Sequence, residues 1–511
     1  MAVDYDVVII GGSLAGRYAA VYAARLRAIV ALVEPFSVAG EHEGGQGDEG
    51  EKLLATPYRR DISRLYPLAT TLSPHTLTQI GQLKRQLTNA SLFGFHDRQQ
   101  DATKSCQSLQ IDEAMRWAEG ASANLEDLDS PAHLAALGVD FIQGNGSFES
   151  RSHLAFTVNG RRLLARSYII ATNSRPAIPD IEGLQSIDYL TPTQVWRSLA
   201  SQTPPQRWLI LGGDPSGCQL AQTLAQFGLD VTLVVKRPHI LPQEDPEIAH
   251  LLQAVLEAEG VRVLTDTAVT QVKQIDGKKW VQAGNEAMEF DEILLCAGCQ
   301  PNFEELNLEA VGVKLQRSRL LLNKKLQTTN HRIYACGDAI GGYQFNHIAN
   351  YEARIALKNA LFFPLFKVDY RSIPWAIFSQ PQLARVGLTE AQAKRRYGSS
   401  VLVLQQYFKT IAAAHIRDEL TGICKLVVLR DGTILGAAIV GSQAVELINP
   451  IALAIAQRLK IDAIANLAPT YPSYSEILQQ TAAEYHQVKF SSNHRWQNVL
   501  ESFFSFRRSS Q

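Results

Sequence analysis

Short apolar runs alternate with Ala-rich stretches along much of this chain, and two of the alternations share one pattern. Val7-Val8-Ile9-Ile10 is β-branched and apolar at every position, which predicts a parallel strand buried on both faces. Gly11-Gly12-Ser13-Leu14-Ala15-Gly16 follows at once. The Ala-rich stretch from Arg17 to Leu26 then predicts a helix. Ile29-Val30-Ala31-Leu32-Val33 predicts a second buried strand, and it stops on Glu34. The pattern recurs later. Trp208-Leu209-Ile210-Leu211 is a strand, Gly212-Gly213-Asp214-Pro215-Ser216-Gly217 a glycine turn, Cys218 to Phe227 a helix and Val231 to Val235 the next strand. Between the copies, Gly138 to Ile142 opens a strand region that reaches Val158, Asn159-Gly160 is a hairpin signal, and Ser167 to Thr172 is another buried strand. Residues 53 to about 135 read as mixed and mostly helical. Gly40 to Lys52 has no apolar residue and reads as a loop, and Thr203-Pro204-Pro205 reads as part of a linker.

Strand, glycine turn, helix, strand and acid together predict a dinucleotide site. Gly11 permits the tight turn and Gly16 lets the helix pack closely on the sheet. Ser13, Leu14 and Ala15 open a helix whose free N–H groups and positive dipole end suit a pyrophosphate. Glu34 sits where a carboxylate accepts from a ribose hydroxyl. Ser13 replaces the middle glycine of the fingerprint and is small enough for phosphate to approach. The second copy, with Gly212 and Gly217, departs further. Asp214 takes the middle position, where a carboxylate repels phosphate. No acid ends its second strand; Lys236-Arg237 stands there instead, which favours a 2′-phosphate and hence NADP(H) over NAD(H).

Composition narrows the classes. A hydrophobic share of 46% supplies sizeable cores, and a formal net charge of −1 gives no global field that favours nucleic acid or an anionic membrane. No apolar run is long enough for a membrane span, and the immediate first strand leaves no room for a signal peptide. The six cysteines, Cys106, Cys218, Cys296, Cys299, Cys336 and Cys424, are scattered, which fits a reducing, cytoplasmic setting rather than a disulfide framework. Cys296 and Cys299 have C-x-x-C spacing but lie at a strand end leading into a turn, without the helix N-terminus that stabilises a redox thiolate, and no second pair completes a zinc site.

Arg332-Ile333-Tyr334-Ala335-Cys336-Gly337-Asp338-Ala339-Ile340 makes the picture specific. With the two glycine turns, Ala171-Thr172 and Gly298-x-x-Pro301-Asn302, the chain resembles the flavin-dependent pyridine nucleotide–disulfide oxidoreductases, such as dihydrolipoamide dehydrogenase and mercuric reductase, from about residue 3 to about residue 485. The resemblance implies an α/β fold with two Rossmann-like nucleotide-binding domains, the NAD(P) domain inserted in the FAD domain, and a C-terminal α+β dimerisation domain. It implies an FAD domain at 1–200 that returns at 326–370, an NAD(P) domain at 201–325, a dimerisation domain at 371–485 and a tail at 486–511. It also implies a homodimer, with FAD held at Gly11, Ser13, Leu14, Ala15, Gly16, Glu34, Lys52, Thr172, Gly337, Asp338 and His347. NADP(H) or NAD(H) would use Gly212, Gly217, Gln219, Lys236, Arg237 and Gly298.

The departures bear on chemistry. Members of that family carry C-x4-C after the first ribose acid, and counting from Gly40 those positions are Glu43 and Asp48, with the following lysine at Lys52. The family's catalytic His-Pro reads Tyr471-Pro472, while Glu476, the usual partner of that histidine, remains. The glutamate that would pair with Lys52 is Gln219. These residues lead us to expect catalysis through Lys52, Tyr471, Glu476, Glu43 and Asp48, with electrons passing from NAD(P)H through FAD directly to a small non-disulfide acceptor, a quinone first. The alternatives are a non-catalytic or redox-sensing flavoprotein and a pyridine nucleotide transhydrogenase. Trp496, Val499, Leu500, Phe503 and Phe504 recur with helical spacing, so the tail is expected to form an amphipathic helix. Packing on the protein's own dimer, a peripheral membrane contact and a protein contact are the readings of that helix.

Overall fold

The computed structural model describes residues 3–35, 67–89, 113–114, 116–118, 120–121, 130–150, 153–199, 205–342, 344–491 and 494–509. The chain divides into two compact units, one of residues 1–77, 109–179 and 297–368, the other of residues 78–108, 180–296 and 369–511.

The first unit is built on a five-stranded parallel sheet in the order Ile333–Ala335, Ala165–Ile170, Tyr5–Ile10 (β1), Val30–Glu34 (β2), Asp140–Gln143. The apolar run in β1 is continuous because both of its faces are covered. Val7 and Ile9 point to a core with Ala15, Ala19 and Ala23 of the helix Leu14–Arg25 (α1) and Ala353 and Ala356 of the helix Asn346–Leu361. Val8 and Ile10 point to the opposite core, with Phe148, Phe156 and Tyr168. The small alanines set the close approach of α1, which is why its sequence is so rich in them. The second strand starts one residue later than the apolar run predicts, because Ile29 is exposed. The strand region after Gly138 resolves into Asp140–Gln143 and a three-stranded antiparallel sheet, Gly146–Glu149, Ala155–Val158 and Arg161–Leu163. Its hairpin turns on Asn159 and Gly160, both at positive φ, as the dipeptide predicts.

The second unit carries a four-stranded parallel sheet in the order Arg262–Leu264, Asp230–Val234, Arg207–Leu211, Glu292–Leu295, and a three-stranded antiparallel sheet over 269–290. Its C-terminal part is a five-stranded antiparallel sheet in the order Trp375–Ile377, Gln382–Gly387, Ile434–Gly441, Ile423–Leu429, Val401–Tyr407. The helices Ala444–Ala456 and Glu476–Ser491 cover it through Leu447, Ile448, Ile451, Ile477 and Leu478. Buried ion pairs join the two parts of this unit. Lys425, almost without solvent exposure, meets Asp245 at 3.1 Å, Glu390 at 2.6 Å and Glu247, and Arg385 meets the buried Glu244 at 2.8 Å. The tail is a helix, His494–Ser509, as its periodicity predicts, and Val499, Phe503 and Phe504 of its apolar stripe are exposed on the single chain.

Candidate functional site

In the first unit the two segments expected to meet a flavin come together at the carboxyl ends of the parallel strands. The backbone of α1 crosses β1 so closely that a Cβ on Gly16 would lie 2.0 Å from the carbonyl oxygen of Gly11. Ser13 caps the helix, accepting the Gly16 N–H at 3.3 Å. Gly337, at φ +66°, leads the turn Gly337–Ile340, and a Cβ there would stand 3.0 Å from the Cβ of Ala15. Gly337 is therefore one point at which the return segment meets the opening helix, beside the packing of the helix Asn346–Leu361 on it. Its N–H donates to the buried Glu352 at 2.8 Å. Asp338 accepts from the Ser174 hydroxyl at 3.1 Å, and burial holds its carboxyl above the usual range against that hydrogen bond.

Two observations make this a cradle for a polar ligand. The Thr172 hydroxyl is buried at the end of the strand beside Gly11, with no hydrogen-bond partner among the described residues. An orphaned buried hydroxyl carries a desolvation cost of about 1–3 kcal/mol that a ligand atom would relieve. Asp338 is a second, half-buried acceptor with spare lone pairs. Thr172, Gly337, Asp338 and the opening turn of α1 thus fit FAD. His347 lies exposed in the first turn of the helix Asn346–Leu361, its ring 5.9 Å from that of Phe345.

Glu34 is held by a residue that the sequence pattern did not single out. Arg17 is 2% exposed, donates through Nε to the Gly12 carbonyl at 3.0 Å, and donates to both carboxylate oxygens of Glu34 at 2.8 and 2.6 Å. The carboxylate expected to face a ribose is therefore already oriented by a buried guanidinium, with acceptor capacity left over. The available signal was a lone arginine one residue after Gly16 in an Ala-rich helix. Glu352 lies in the run His347-Ile348-Ala349-x-x-Glu352-x-Arg354, which resembles the family's following helix, but its pairing with Gly337, like that of Ser174 with Asp338, had no signal of its own.

The second glycine turn repeats the backbone of the first. A Cβ on Gly217 would lie 2.1 Å from the Gly212 carbonyl oxygen, and Asp214 caps the helix Pro215–Gln226 as Ser13 caps α1. The cap differs in charge. Asp214 accepts the Gly217 N–H at 2.9 Å and the Ser216 hydroxyl at 3.1 Å. Burial pushes its carboxyl up to about 6, against the opposing effect of those two hydrogen bonds. This turn fits a diphosphate less well than the first, since an acid already takes the N–H that phosphate would use. Gln219 lies buried on the same helix and donates to Thr78 at 3.0 Å. Lys236 and Arg237 are exposed beyond the second strand. Gly298 is at φ +90° and its carbonyl accepts from Ala177 at 2.9 Å.

Among the described cysteines none is bonded to another. Burial raises the thiol of Cys218 well above its ordinary value, raises that of Cys336, and pushes that of Cys424 up to about 12. Cys299 opens a short strand, Cys299–Pro301, paired with Ser174–Pro176, where the sequence predicted a turn. Tyr471 is 77% exposed, and Glu476 accepts the Ser473 N–H at 2.8 Å at the start of its own helix. Glu43, Asp48 and Lys52 lie outside the described residues.

Comparison with known proteins agrees with this geometry. The family model described as pyridine nucleotide-disulphide oxidoreductase matches residues 5–353, and that of the same family's dimerisation domain matches residues 373–482. A mercuric reductase of Staphylococcus aureus is 30% identical over 486 residues, covering 94% of this chain and 82% of that protein. A dihydrolipoyl dehydrogenase of Synechocystis is 28% identical over 499 residues, covering 93% and 98%. Among solved structures, the HOCl-induced flavoprotein disulfide reductase RclA of Escherichia coli aligns with a TM-score of 0.75 at 23% identity, covering 94% of this chain and 99% of that one. The fold is accordingly two Rossmann-like nucleotide-binding domains with a C-terminal dimerisation domain, and the chain belongs to the pyridine nucleotide–disulphide oxidoreductase family of flavin-dependent oxidoreductases.

Proposed function

We propose that this chain oxidises NAD(P)H through bound FAD and passes the electrons directly to a small acceptor, a quinone first, without a disulfide relay. The observation that carries the reading is a contrast. Thr172, Gly337, Asp338 and the opening turn of α1 suit a flavin, yet no cysteine occurs before Cys106, and the thiols of Cys218, Cys336 and Cys424 are buried and protonated at neutral pH. We assign residues 1–200 and 326–370 to FAD, 201–325 to the nicotinamide nucleotide, 371–485 to dimerisation and 486–511 to the tail.

Bound FAD supplies two-electron transfer between nicotinamide and acceptor. The chain's own residues bind and orient. The α1 N-terminus takes the diphosphate, Glu34 fixed by Arg17 takes a ribose hydroxyl, and Asp338 and Thr172 take further polar atoms. We assign Lys52 a cationic role toward the flavin, since Gln219 stands where the family's neutralising acid would be. Tyr471, whose side chain is exposed, gives a phenol proton to the acceptor's carbonyl oxygen. Glu476 positions the Tyr471 segment, and we assign Glu43 and Asp48, at the positions of the family's two cysteines, to the acceptor chemistry. Lys236 and Arg237 favour NADPH.

The test is anaerobic mixing of the yellow holoprotein with NADPH or NADH. Bleaching of the flavin followed by reoxidation with a quinone, and not with lipoamide or glutathione disulfide, is the expected result. Turnover of a disulfide substrate at a comparable rate refutes it. Asp214 favours a second reading, a redox-sensing flavoprotein with a weak nicotinamide site, and that reading is the correct one if neither nucleotide bleaches the flavin.

A further inference from the structure

The helix Asn346–Leu361 ends in the segment Leu361-Phe362-Phe363-Pro364-Leu365-Phe366-Lys367, which no part of the flavin cradle uses. Four of its large apolar side chains face solvent together. Phe362 is 54% exposed, Phe363 72%, Leu365 72% and Phe366 45%. Scattered exposed apolar residues are ordinary, but a run of four on one short loop marks an interaction surface.

The loop is built to hold this tip outward. Asn359, 1% exposed, ties its two ends: its amide donates to the Phe366 carbonyl at 2.8 Å and to the Lys325 carbonyl at 3.0 Å, and its Oδ1 accepts the Phe366 N–H at 2.9 Å. Tyr334 donates to the Asn359 carbonyl at 3.0 Å, and the Val368 N–H donates to Lys324 at 2.9 Å. The Leu365 N–H returns to the Phe363 carbonyl at 2.7 Å across Pro364, whose ring fixes its own φ. The conformational entropy of this tip is spent on folding, so docking does not have to order it.

Charge identifies what it docks on. Lys324 and Lys325 are tied to the loop through their backbone carbonyls, Lys367 closes it, and the Lys358 ammonium lies 5.2 Å from the Phe366 ring centroid. No acidic residue occurs from Ala353 to Val368 or from Val311 to Asn330. Lysine is depleted in protein–protein interfaces but is favoured where an apolar body enters lipid and the ammonium stays at the headgroups. Each lysine near an anionic leaflet strengthens binding about fivefold. We propose that the loop 361–367 is an interfacial anchor that inserts Phe362, Phe363, Leu365 and Phe366 into the surface of an anionic lipid bilayer. The inference does not rest on the proposed acceptor, and it concerns a segment separate in sequence from the tail helix. Such an anchor would bring the protein to the phase in which lipid-soluble acceptors reside.

The experiment is flotation of the full-length flavin-loaded protein with vesicles of phosphatidylcholine alone or with added phosphatidylglycerol. Co-flotation with the anionic vesicles, at least tenfold weaker for the double variant Phe363→Ser/Leu365→Ser and lost in high salt, is expected. A second variant, Lys324→Glu/Lys367→Glu, leaves the apolar tip intact and should abolish the preference for phosphatidylglycerol. Both variants change exposed side chains, so flavin absorbance and melting temperature should match the parent. Absence of flotation by the parent protein overturns the proposal. So does flotation unaltered by the loop variants, which would place the contact on the tail, and so does a loop variant that dissociates a dimer, which would make the loop a contact between copies.

Discussion

In the proposed nicotinamide site Asp214 caps the second glycine turn, and the effect of its charge on nucleotide affinity can be worked from the geometry. The carboxylate holds the Gly217 N–H at 2.9 Å, so a phosphate that takes this donor must displace an anion from it. A phosphate in reach of that N–H lies roughly 4–6 Å from the carboxylate. At an effective dielectric of about 20 the repulsion is about 3–4 kcal/mol per charge pair. Two substitutions separate charge from bulk. Asp214→Asn keeps an acceptor for the helix N-terminus and removes the charge; Asp214→Gly also clears the approach, at a capping cost of a few tenths of a kcal/mol. Either should tighten nicotinamide nucleotide binding by about 10- to 30-fold at about pH 7–7.5, since a carboxyl at about 6 lets the parent bind through its protonated fraction and caps the gain. The native carboxyl sits at about 6, above its unfolded value of about 3.9, so it is protonated in the folded chain as pH falls through 6. Nucleotide affinity of the parent should therefore rise about tenfold between pH 7.5 and 5.5, and that rise should vanish in Asp214→Asn. Titration calorimetry with NADH, which lacks the titrating 2′-phosphate, reads both effects. Affinities within twofold of the parent in both variants, together with a flat parent pH profile, refute the reasoning.

Other residues make separate predictions. Thr172→Val removes a buried hydroxyl that has no partner among the described residues, so the flavin-free chain should melt no lower than the parent while FAD affinity, measured by fluorescence quenching, falls about five- to tenfold. Gly337→Ala places a Cβ 3.0 Å from that of Ala15 at φ +66°, and about 1–2 kcal/mol of strain should appear as a lower melting temperature and incomplete flavin loading. Lys425→Met leaves Asp245, Glu247 and Glu390 without their shared cation and should cost about 3 kcal/mol near pH 7. Burial alone would lower the Lys425 pKa, but Glu247, Glu390 and Asp245 together hold it above its usual range, so its stabilisation is complete below about pH 10 and is lost only as pH rises through the elevated value. Burial opposes ionisation of Glu390, but Lys394 and Lys425 hold its carboxyl below the usual range, so its contribution is lost as pH falls through that lowered value; the gap in melting temperature between parent and variant should narrow in acid. Lys52→Ala should lower both the flavin potential and quinone turnover, and unchanged values for both would remove Lys52 from the chemistry.

What the sequence made legible follows the range of the forces involved. The runs Val7–Ile10 and Trp208–Leu211 are strands because a fully covered parallel strand leaves no polar position, and that signal is local. The glycines of both turns were legible for the same reason, since Gly16 and Gly217 are demanded by contacts within their own motifs. Partners supplied from distant segments were not. Glu34 stood out as the acid ending β2, but its guanidinium comes from Arg17 on the neighbouring helix, and nothing in the spacing distinguishes that arginine from a solvated one. The four apolar residues after Leu361 were invisible for the converse reason. A run of Phe, Phe, Leu and Phe reads as core, and only the pinning of the loop by Asn359 turns those side chains outward. Asp214 shows a third case, in which the residue was legible and its consequence was not. Sequence gives a carboxylate repelling phosphate; the fold adds burial that brings its ionisation to about 6, which converts a fixed obstacle into one whose strength depends on pH. Ser13 and Asp214 occupy equivalent caps on two helices of the same length, Leu14–Arg25 and Pro215–Gln226, so the difference between a permissive and a guarded dinucleotide turn reduces in this chain to the charge on one capping side chain.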